Sequence, residues 1–256
     1  MKTDTIGTVY LIGAGPGAAD LLTLRAARLI AEAECVFHDA LVSPEILALA
    51  PQAKLIPVGK RCGKHSTAQH FINKQLIDAA QCYRSVVRLK GGDPMVFGRA
   101  QEEIDALLQA NIPFQIVPGI TTALAASASL GLSLTQRNIA RSVAFVTPRI
   151  GDNCSDSETW LTTATAADSV VLYMASHQLA EIQKRLIHAG RLASTPTVVL
   201  SHVSYSDETR WAGTLEQLHT CPLPELSDHP MIMLMGEAFK AALAKDLPLI
   251  LEQQHA

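Results

Sequence analysis

Two glycine-rich segments, each following an apolar run, contain the residues that could do chemistry. GAGPGA at residues 13–18 follows a first apolar run, and KGGDP at residues 90–94 follows a second one. Glycines at a strand end leave the backbone amides and carbonyls free of side chains, and so open to something small. The second segment is equally typical of an ordinary strand-to-helix turn, because Gly, Asp and Pro are common turn residues.

The first segment fits the dinucleotide-binding pattern G-x-G-x-x-[GA], and Asp39 lies about 20 residues further on, where a ribose-binding acid belongs. This pattern favours an NAD(P)-dependent oxidoreductase. Against it, Pro16 removes an amide that would hold a pyrophosphate. The two segments together suit a compact, mostly uncharged ligand held by backbone hydrogen bonds, with Asp93 available for a ribose or an amine. Adenosine with an amino-acid tail fits that description.

The composition indicates a globular protein with neither a nucleic-acid nor a membrane partner. The 256 residues are 48% apolar and have a net charge of -3, with no block of like charge. No basic surface for nucleic acid or anionic lipid is therefore expected. The N-terminus leads directly into a strand-like run, and no apolar segment is long enough to span a bilayer. We therefore expect a cytoplasmic protein.

The five cysteines are scattered along the chain and contain no C-x-x-C pair. This arrangement favours reduced thiols over a disulfide framework or a zinc site. We therefore expect no disulfide and no bound metal.

Short apolar runs alternate with helical patterns, which predicts an α/β fold. Up to Val117 the rhythm is that of a mainly parallel sheet covered by helices, and Pro118-Gly119 then interrupts it. We predict two α/β domains, residues 1–117 and 118–256, with a cleft between them as the ligand site. Asp20 is the expected N-cap of the first helix. The predicted strands are 8–12, 35–37, 54–58, 86–89, 114–117, 142–146, 170–174, 196–200, 209–215 and 231–235, and the helices 20–33, 68–80, 101–110, 121–130 and 178–189.

Several motifs resemble those of the tetrapyrrole methyltransferase family. VYLIGAGPG at residues 9–17, with DLLTL at 20–24, looks like the opening motif of that family. VGKRCGKHS at 58–66 and VVRLKGGDPMVFGR at 86–99 resemble the branch of uroporphyrinogen-III C-methyltransferases, as do VPGIT at 117–121 and LTQR at 134–137. The similarity covers essentially the whole chain, and the combination of the two longer motifs is specific to that branch.

The resemblance implies a two-domain α/β homodimer that binds S-adenosylmethionine in the cleft. Such enzymes methylate uroporphyrinogen III at C2 and C7 to give precorrin-2, the branch point towards sirohaem, cobalamin and haem d1. An acid at the position of Asp39 is the family's proposed proton acceptor, and a lysine at that of Lys60 the proposed donor. The implied contacts of the methyl donor are Pro16, Gly91, Gly92, Asp93, Val96, Thr121, Thr122 and Met174.

The implied reaction agrees with these residue types. A porphyrinogen pyrrole carbon is electron-rich and can attack a sulfonium methyl directly, so the enzyme needs in-line placement and a route for the leaving proton, but no metal. Lys60 near Asp39 would hold the pKa of that carboxyl low. Arg99 and Glu102 match family residues implicated in substrate handling, although Arg99 could instead cap its own helix or pair with Glu102 or Glu103. The expected anchors for the carboxylates of the substrate are Arg61, Lys64, His65, Arg99, Arg137 and Arg141.

The second half of the chain departs from the family pattern. Pro148, Ala175 and Val203 stand where the family has glycine, and a β-branched residue such as Val203 tolerates positive φ poorly. These departures leave open whether donor binding is weakened or the substrate changed. They also leave a third hypothesis, a paralogue that binds the donor or a tetrapyrrole without turnover.

Overall fold

The computed structural model describes residues 6–58, 65–148, 159–175, 178–223 and 229–244. The chain divides into two units, residues 1–121 and 122–256, each with its own set of internal contacts. The predicted boundary after residue 117 precedes this division, and the predicted cleft stays a prediction. No helix among the described residues is long and apolar enough to cross a membrane.

A parallel sheet forms the centre of the first unit. Its described strands are β1 (Thr8–Gly13), β2 (Cys35–His38), β3 (Lys54–Pro57), β4 (Ser85–Lys90) and β5 (Phe114–Val117), in the order β3-β2-β4-β1-β5. Every pairing is parallel. The carboxyl ends of these strands therefore share one edge of the sheet, which brings the loops after β1, β2 and β4 together.

Helices cover both faces of this sheet, as a buried parallel sheet requires. On one face, Val87 and Leu89 of β4 pack with residues of α1 (Leu24–Ala31) and α2 (Pro44–Ala48). On the other face, Val86 packs with residues of α3 (His65–Ala80) and α4 (Ala100–Gln109). Successive residues of β4 thus point to opposite helical layers.

The first helix begins later than the sequence predicts. Residues Ala19–Leu21 form a 3-10 helix, and α1 starts at Leu24. The Thr23 hydroxyl accepts a hydrogen bond from the Ala26 amide at 3.1 Å, so Thr23 is the N-cap of α1. The expectation that Asp20 caps this helix was wrong.

A mixed sheet forms the centre of the second unit. Its described strands are β6 (Val143–Val146), β7 (Ser169–Tyr173), β8 (Pro196–Ser201), β9 (Thr209–Thr214) and β10 (Met231–Met235), in the order β6-β7-β10-β8-β9. Strands β6 and β7 are parallel, and the other pairings are antiparallel. The helices given for the described residues of this unit are α5 (Thr122–Leu130), α6 (Thr159–Ala166) and α7 (Leu179–His188), with 3-10 helices at Leu215–Thr220 and Glu237–Leu243.

Candidate active site

The glycine-rich loops after β1 and β4 bind each other through their backbones. The Gly15 amide donates to the Gly92 carbonyl at 3.2 Å, and the Gly92 amide donates to the Gly15 carbonyl at 2.7 Å. The Ala14 amide also donates to the Lys90 carbonyl at 2.7 Å. The expectation that backbone groups of both loops are open to a ligand was therefore wrong for Gly15 and Gly92, because their amides and carbonyls bind each other and hold the two loops together.

A third backbone segment, after β5, packs against these loops. A Cβ added to Gly119 would lie 2.4 Å from the Gly92 carbonyl oxygen and 2.7 Å from the Gly13 Cα, closer than side-chain carbons approach. We call Gly13, Gly15, Gly92 and Gly119 the glycine floor. Gly92 has a φ of +68°, and a Cβ added there would meet no atom within 4 Å. The glycine floor is thus closed on the Gly119 side and open beside Gly92.

Asp93 braces the glycine floor with both of its carboxylate oxygens. Its Oδ1 accepts a hydrogen bond from the Met95 amide at 2.8 Å, and its Oδ2 accepts one from the Gly119 amide at 2.9 Å. A carboxylate oxygen has a second lone pair, so these bonds leave acceptor capacity for a ligand. Asp93 is half-buried and directly follows Gly92 in the chain.

Asp39 follows β2 at the same sheet edge and is bound by a buried arginine. The Arg88 Nη2 donates to Asp39 Oδ1 at 2.6 Å. The Asp39 side chain is 32% exposed, whereas that of Arg88 is 3% exposed. The carboxylate is therefore accessible from solvent and fixed from within by a charge-assisted hydrogen bond.

Arg88 belongs to a charge network in the layer between β4 and helices α3 and α4. Glu103 on α4 is fully buried, and its Oε1 accepts from Arg88 Nε at 3.0 Å, Lys90 Nζ at 3.0 Å and Gln69 Nε2 at 3.2 Å. Its Oε2 has no hydrogen-bond partner among the described residues. Burial, reinforced by the Arg88 charge, lowers the pKa of Lys90. We call Asp39, Arg88, Lys90 and Glu103 the buried charge network.

Reasoning from the sequence missed Arg88, Lys90 and Glu103. A signal was present, because Arg88 and Lys90 interrupt an otherwise apolar strand at alternate positions. In a central parallel strand both faces are buried, so charged residues at such positions need partners of opposite charge within the core.

Arg99 and Glu102, two of the expected substrate contacts, bind each other. Arg99 Nε and Nη2 donate to the two carboxylate oxygens of Glu102 at 2.7 and 2.8 Å. This hydrogen bonding from Arg99 lowers the pKa of Glu102. The alternative pairing within the helix start is therefore present, and an anionic substrate would have to compete for an arginine that already has a carboxylate partner.

Comparison with known proteins assigns the chain to a family. The sequence profile of the Tetrapyrrole (Corrin/Porphyrin) Methylases matches residues 8–219. The chain belongs to the tetrapyrrole methylase family. The family predicted from the sequence is thereby confirmed.

Three relatives illustrate the similarity. A siroheme synthase from Baumannia cicadellinicola subsp. Homalodisca coagulata is 45% identical over 236 residues, which are 92% of this chain and 51% of that protein. The chain thus spans about half the length of this relative. A uroporphyrin-III C-methyl transferase from Thermus thermophilus, solved alone and complexed with S-adenyl homocysteine, is 36% identical with a TM-score of 0.77. The similarity covers 91% of this chain and 99% of that one.

The third relative, a cobalt precorrin-4 methyltransferase, is 27% identical with a TM-score of 0.80, over 91% of this chain and 95% of its own. The predicted α/β fold of the tetrapyrrole methylase type is therefore confirmed.

Within this tetrapyrrole methylase, the expected donor contacts divide between the two units. Pro16 and Val96 are half-buried and Thr121 is buried, all in the first unit. In the second unit, Thr122 is the first residue of α5, and Met174 follows β7 with a φ of +56° and 67% exposure. Their role in donor binding stays a prediction.

The expected substrate residues are only partly described. Arg137 and Arg141 are exposed in the segment between α5 and β6. The expected proton donor Lys60 lies outside the described residues, as do Arg61 and Lys64 and the side chain of His65. Arg88 is the described cation bound to Asp39, and the expected contact between Lys60 and Asp39 stays a prediction.

In this tetrapyrrole methylase, the turn after β8 does not require a positive φ at Val203. Val203 is buried, and it is not among the described residues with positive φ. Positive φ values fall instead on its neighbours His202 (+57°) and Ser204 (+72°). The expected strain at a β-branched residue is thus avoided, because flanking residues adopt the left-handed conformation.

Proposed function

We propose that this chain is an S-adenosylmethionine-dependent methyltransferase that methylates uroporphyrinogen III at C2 and C7 to give precorrin-2. One observation carries the proposal: a half-exposed carboxylate, Asp39, is bound by buried Arg88 at the sheet edge that also holds the glycine floor. The names of the Thermus and Baumannia relatives support the substrate and the sirohaem branch.

The residues at the sheet edge fit the methyl donor. The space beside Gly92 is free of side chains, and a Cβ added to Gly91 would meet only the Leu41 Cβ, at 3.7 Å. A flat, mostly uncharged adenosine needs such a surface with few polar groups next to it. When bound, S-adenosylmethionine supplies an electrophilic methyl group. The proposed contacts are Pro16, Gly91, Gly92, Asp93, Val96, Thr121, Thr122 and Met174.

Asp39 is the proposed acceptor of the proton that the macrocycle must lose elsewhere after methylation, because the methylated carbon already carries a side chain and has no proton of its own. Arg88 contacts Oδ1, which fixes the carboxylate and leaves Oδ2 to take the proton. The 32% exposure of the side chain gives that oxygen access to a substrate. Lys60 is the proposed proton donor, by resemblance to the family.

The carboxylates of the substrate require cations on the protein surface. The described candidates are Arg99, Arg137 and Arg141, and Glu102 is proposed to release Arg99 when a substrate carboxylate takes the place of Glu102. The remaining proposed anchors are Arg61, Lys64 and His65. We also propose that the chain acts as a cytoplasmic homodimer, as the resemblance and the sequence predicted; light scattering of the purified protein tests the dimer.

The proposal is tested with purified protein, S-adenosylmethionine and enzymatically generated uroporphyrinogen III. We expect formation of S-adenosylhomocysteine together with the absorbance of the oxidised dimethylated product. Donor binding without methyl transfer would instead favour the paralogue that binds without turnover.

The dinucleotide alternative is not favoured by the geometry of the first loop. In the dinucleotide fingerprint the glycine loop opens directly into a helix whose N-terminus holds the pyrophosphate. Here α1 starts only at Leu24, where Thr23 already caps the Ala26 amide. Calorimetric titration with NADH and with S-adenosylhomocysteine separates the alternatives, since tight binding of NADH alone would reverse the proposal.

A further inference from the structure

The turn between β8 and β9 brings two imidazoles and a carboxylate together in the second unit. Ser201, the last residue of β8, pairs with Met231, the first residue of β10. His202 follows the one strand and His229 precedes the other, and the His202 amide donates to the Pro230 carbonyl at 3.3 Å. The antiparallel register therefore places both histidines at the same edge of the sheet.

The carboxylate of Asp207 lies near both histidines, with one oxygen facing each imidazole. Its Oδ1 is 2.5 Å from His202 Nδ1, and its Oδ2 is 4.0 Å from His229 Nε2. The two imidazole rings are stacked with centroids 3.7 Å apart and planes 3° apart. The potential ligand atoms of the three residues all lie within 4.8 Å of one another.

The side chain of His202 is held in place from several sides. Its ring stacks on Tyr205 as well as on His229, with centroids 3.8 Å apart on the Tyr205 side, and it is only 17% exposed. The left-handed backbone of His202 and Ser204 costs free energy and persists only where the surroundings enforce it. Glu208 supplies such a brace, because it accepts from the Ser204 amide at 2.9 Å and from the Ser129 hydroxyl.

We propose that His202, Asp207 and His229 form a binding site for a divalent transition-metal ion of the Zn²⁺ class. Two imidazoles and one carboxylate are typical ligands of such ions, whereas Mg²⁺ and Ca²⁺ prefer oxygen. Zinc bonds to nitrogen and oxygen of about 2.0–2.2 Å separate ligand atoms by roughly 3–4 Å. To reach this range, the 2.5 Å pair of Asp207 and His202 must widen slightly, and the wider pairs, up to 4.8 Å apart, must close.

Of the three proposed ligands, His229 and Asp207 are the more exposed and can move to bind the ion. His229 and Asp207 are 48% and 62% exposed, so His229 can turn out of the ring stack and direct a nitrogen at the ion while His202 stays in place. Three protein ligands leave a coordination position for water.

This proposal departs from the expectation of no metal, which considered the cysteine spacing and the methyl-transfer reaction. Residues 202, 207 and 229 form no recognisable sequence motif. His229 is distant from the other two in sequence and reaches the turn only through the pairing of β8 with β10. The bound ion would tie the β8–β9 turn, which contains Val203, to the start of β10. The proposal is independent of the methyltransferase function.

The test is calorimetric titration of the chelator-treated full chain with Zn²⁺, together with the visible absorption of added Co²⁺, which reports its coordination. We expect one Zn²⁺ per chain in the unaltered protein. His229→Gln and Asp207→Asn should each weaken binding at least tenfold. His188→Gln, which removes an exposed histidine at the end of α7, is the matched control and should bind Zn²⁺ as the unaltered chain does.

The double variant His229→Gln/Asp207→Asn should lose the calorimetric heat of Zn²⁺ binding and the visible absorption of bound Co²⁺. Its circular dichroism spectrum should remain that of the folded protein. Both substitutions alter largely exposed side chains, so folding is expected to survive. Retention of binding in the folded double variant, absence of Zn²⁺ binding in the unaltered chain, or equal binding of Mg²⁺ would each overturn the proposal.

Discussion

The Asp39 carboxylate combines access from solvent with a fixed orientation. A proton acceptor must reach its substrate, yet a freely rotating side chain loses part of the advantage of positioning. Arg88 resolves this conflict, since it is buried and itself held by Glu103. The position of Asp39 is thus determined by residues that are themselves buried.

The first prediction concerns Asp39. Asp39→Asn keeps the size of the side chain but removes the acceptor of the leaving proton, so kcat should fall by about a hundredfold or more. Binding of S-adenosylhomocysteine, measured by calorimetry, should be unchanged, because the proposed role is in proton removal. Asp78→Asn, at an exposed position on α3, is the control and should retain full turnover. Normal turnover in Asp39→Asn would show that another group is the base.

A second prediction concerns Glu103. Glu103→Gln leaves Arg88 and Lys90 in the core without their shared counter-charge, and breaking a buried ion pair in this way costs about 3–5 kcal/mol. The free energy of unfolding, measured with urea, should fall accordingly. Glu181→Gln breaks the exposed pair with Arg185 (2.9 Å) and should change the free energy by less than about 1 kcal/mol. Equal effects of the two variants would contradict a stabilising role of the buried charge network.

At the scale of elements, the parallel register explains how distant loops form one site. Strands β1, β2 and β4 end at one edge, so Gly15, Asp39 and Gly92 come together although they are far apart in sequence. Two of the described α-helices escaped prediction, as did the 3-10 helices at Leu215–Thr220 and Glu237–Leu243. Helix α6 lies in a stretch rich in Thr and Asp, and its packing depends on Trp160 and Ala164, whose burial becomes visible only in the folded unit. The short helix α2 has too few residues for a periodic pattern.

The strands themselves were predictable, because continuous apolar runs such as Val86-Val87 and Val170-Val171-Leu172 occur where strands are buried on both faces. The candidate site was predictable only through its motifs. Local sequence reveals glycines and an acid, but the partner of Asp39 comes from a neighbouring strand. That pairing depends on the strand order β2-β4, which local sequence does not specify.

The third prediction compares substitutions at two glycines, Gly91 in the loop after β4 and Gly119 in the segment after β5. Gly119→Ala forces a Cβ to 2.4 Å from the Gly92 carbonyl, so the free energy of unfolding should fall by about 1–3 kcal/mol. Gly91→Ala meets only one neighbour at 3.7 Å and should leave stability nearly unchanged while weakening donor binding. Urea unfolding and titration with S-adenosylhomocysteine measure the two effects. A stable Gly119→Ala protein would contradict the close backbone packing.

The fourth prediction concerns the connection between α6 and β7. Asp168 Oδ2 accepts hydrogen bonds from the Arg141 amide, the Ser142 hydroxyl and the Ser142 amide, at 2.8, 2.8 and 3.0 Å. These bonds lower the pKa of Asp168 in the folded chain. The stability gained is therefore present above the unfolded pKa of about 3.9 and lost as pH falls through the folded value.

Asp168→Asn should accordingly lower the Tm at pH 7, and its difference from the unaltered protein should shrink below about pH 4. Asp78→Asn again serves as the control, with no such pH-dependent difference. A Tm difference for Asp168→Asn that is constant with pH would exclude the charge of this carboxylate as the cause.

At the scale of the whole molecule, each unit has a hydrophobic core of its own. Buried residues of the first unit pack on the two faces of its parallel sheet, and those of the second unit pack around Leu172 and Met233. The reactivity of the thiols can be used to probe these cores. Cys35 is buried in the first unit and Cys221 in the second, whereas Cys82 is exposed.

The fifth prediction uses this difference. Burial raises the pKa of Cys35 to about 11 and also raises that of Cys221. At pH 8 only about one Cys35 thiol in a thousand would be the reactive thiolate. Iodoacetamide should therefore alkylate Cys82 within minutes in the native protein, and Cys35 and Cys221 only after unfolding, as peptide mass spectrometry would measure. Rapid native alkylation of Cys35 would show that the first core opens readily.

The backbone contacts among Gly13, Gly92 and Gly119 limit how this site can evolve. Their chemistry comes from main-chain atoms, which every amino acid carries, so substitution there can only obstruct the surface and cannot give it a new preference. Substitutions in a random mutagenesis library should be depleted at Gly13 and Gly119. New specificity in such a fold must therefore arise from the surrounding side chains, while the main-chain surface is inherited unchanged.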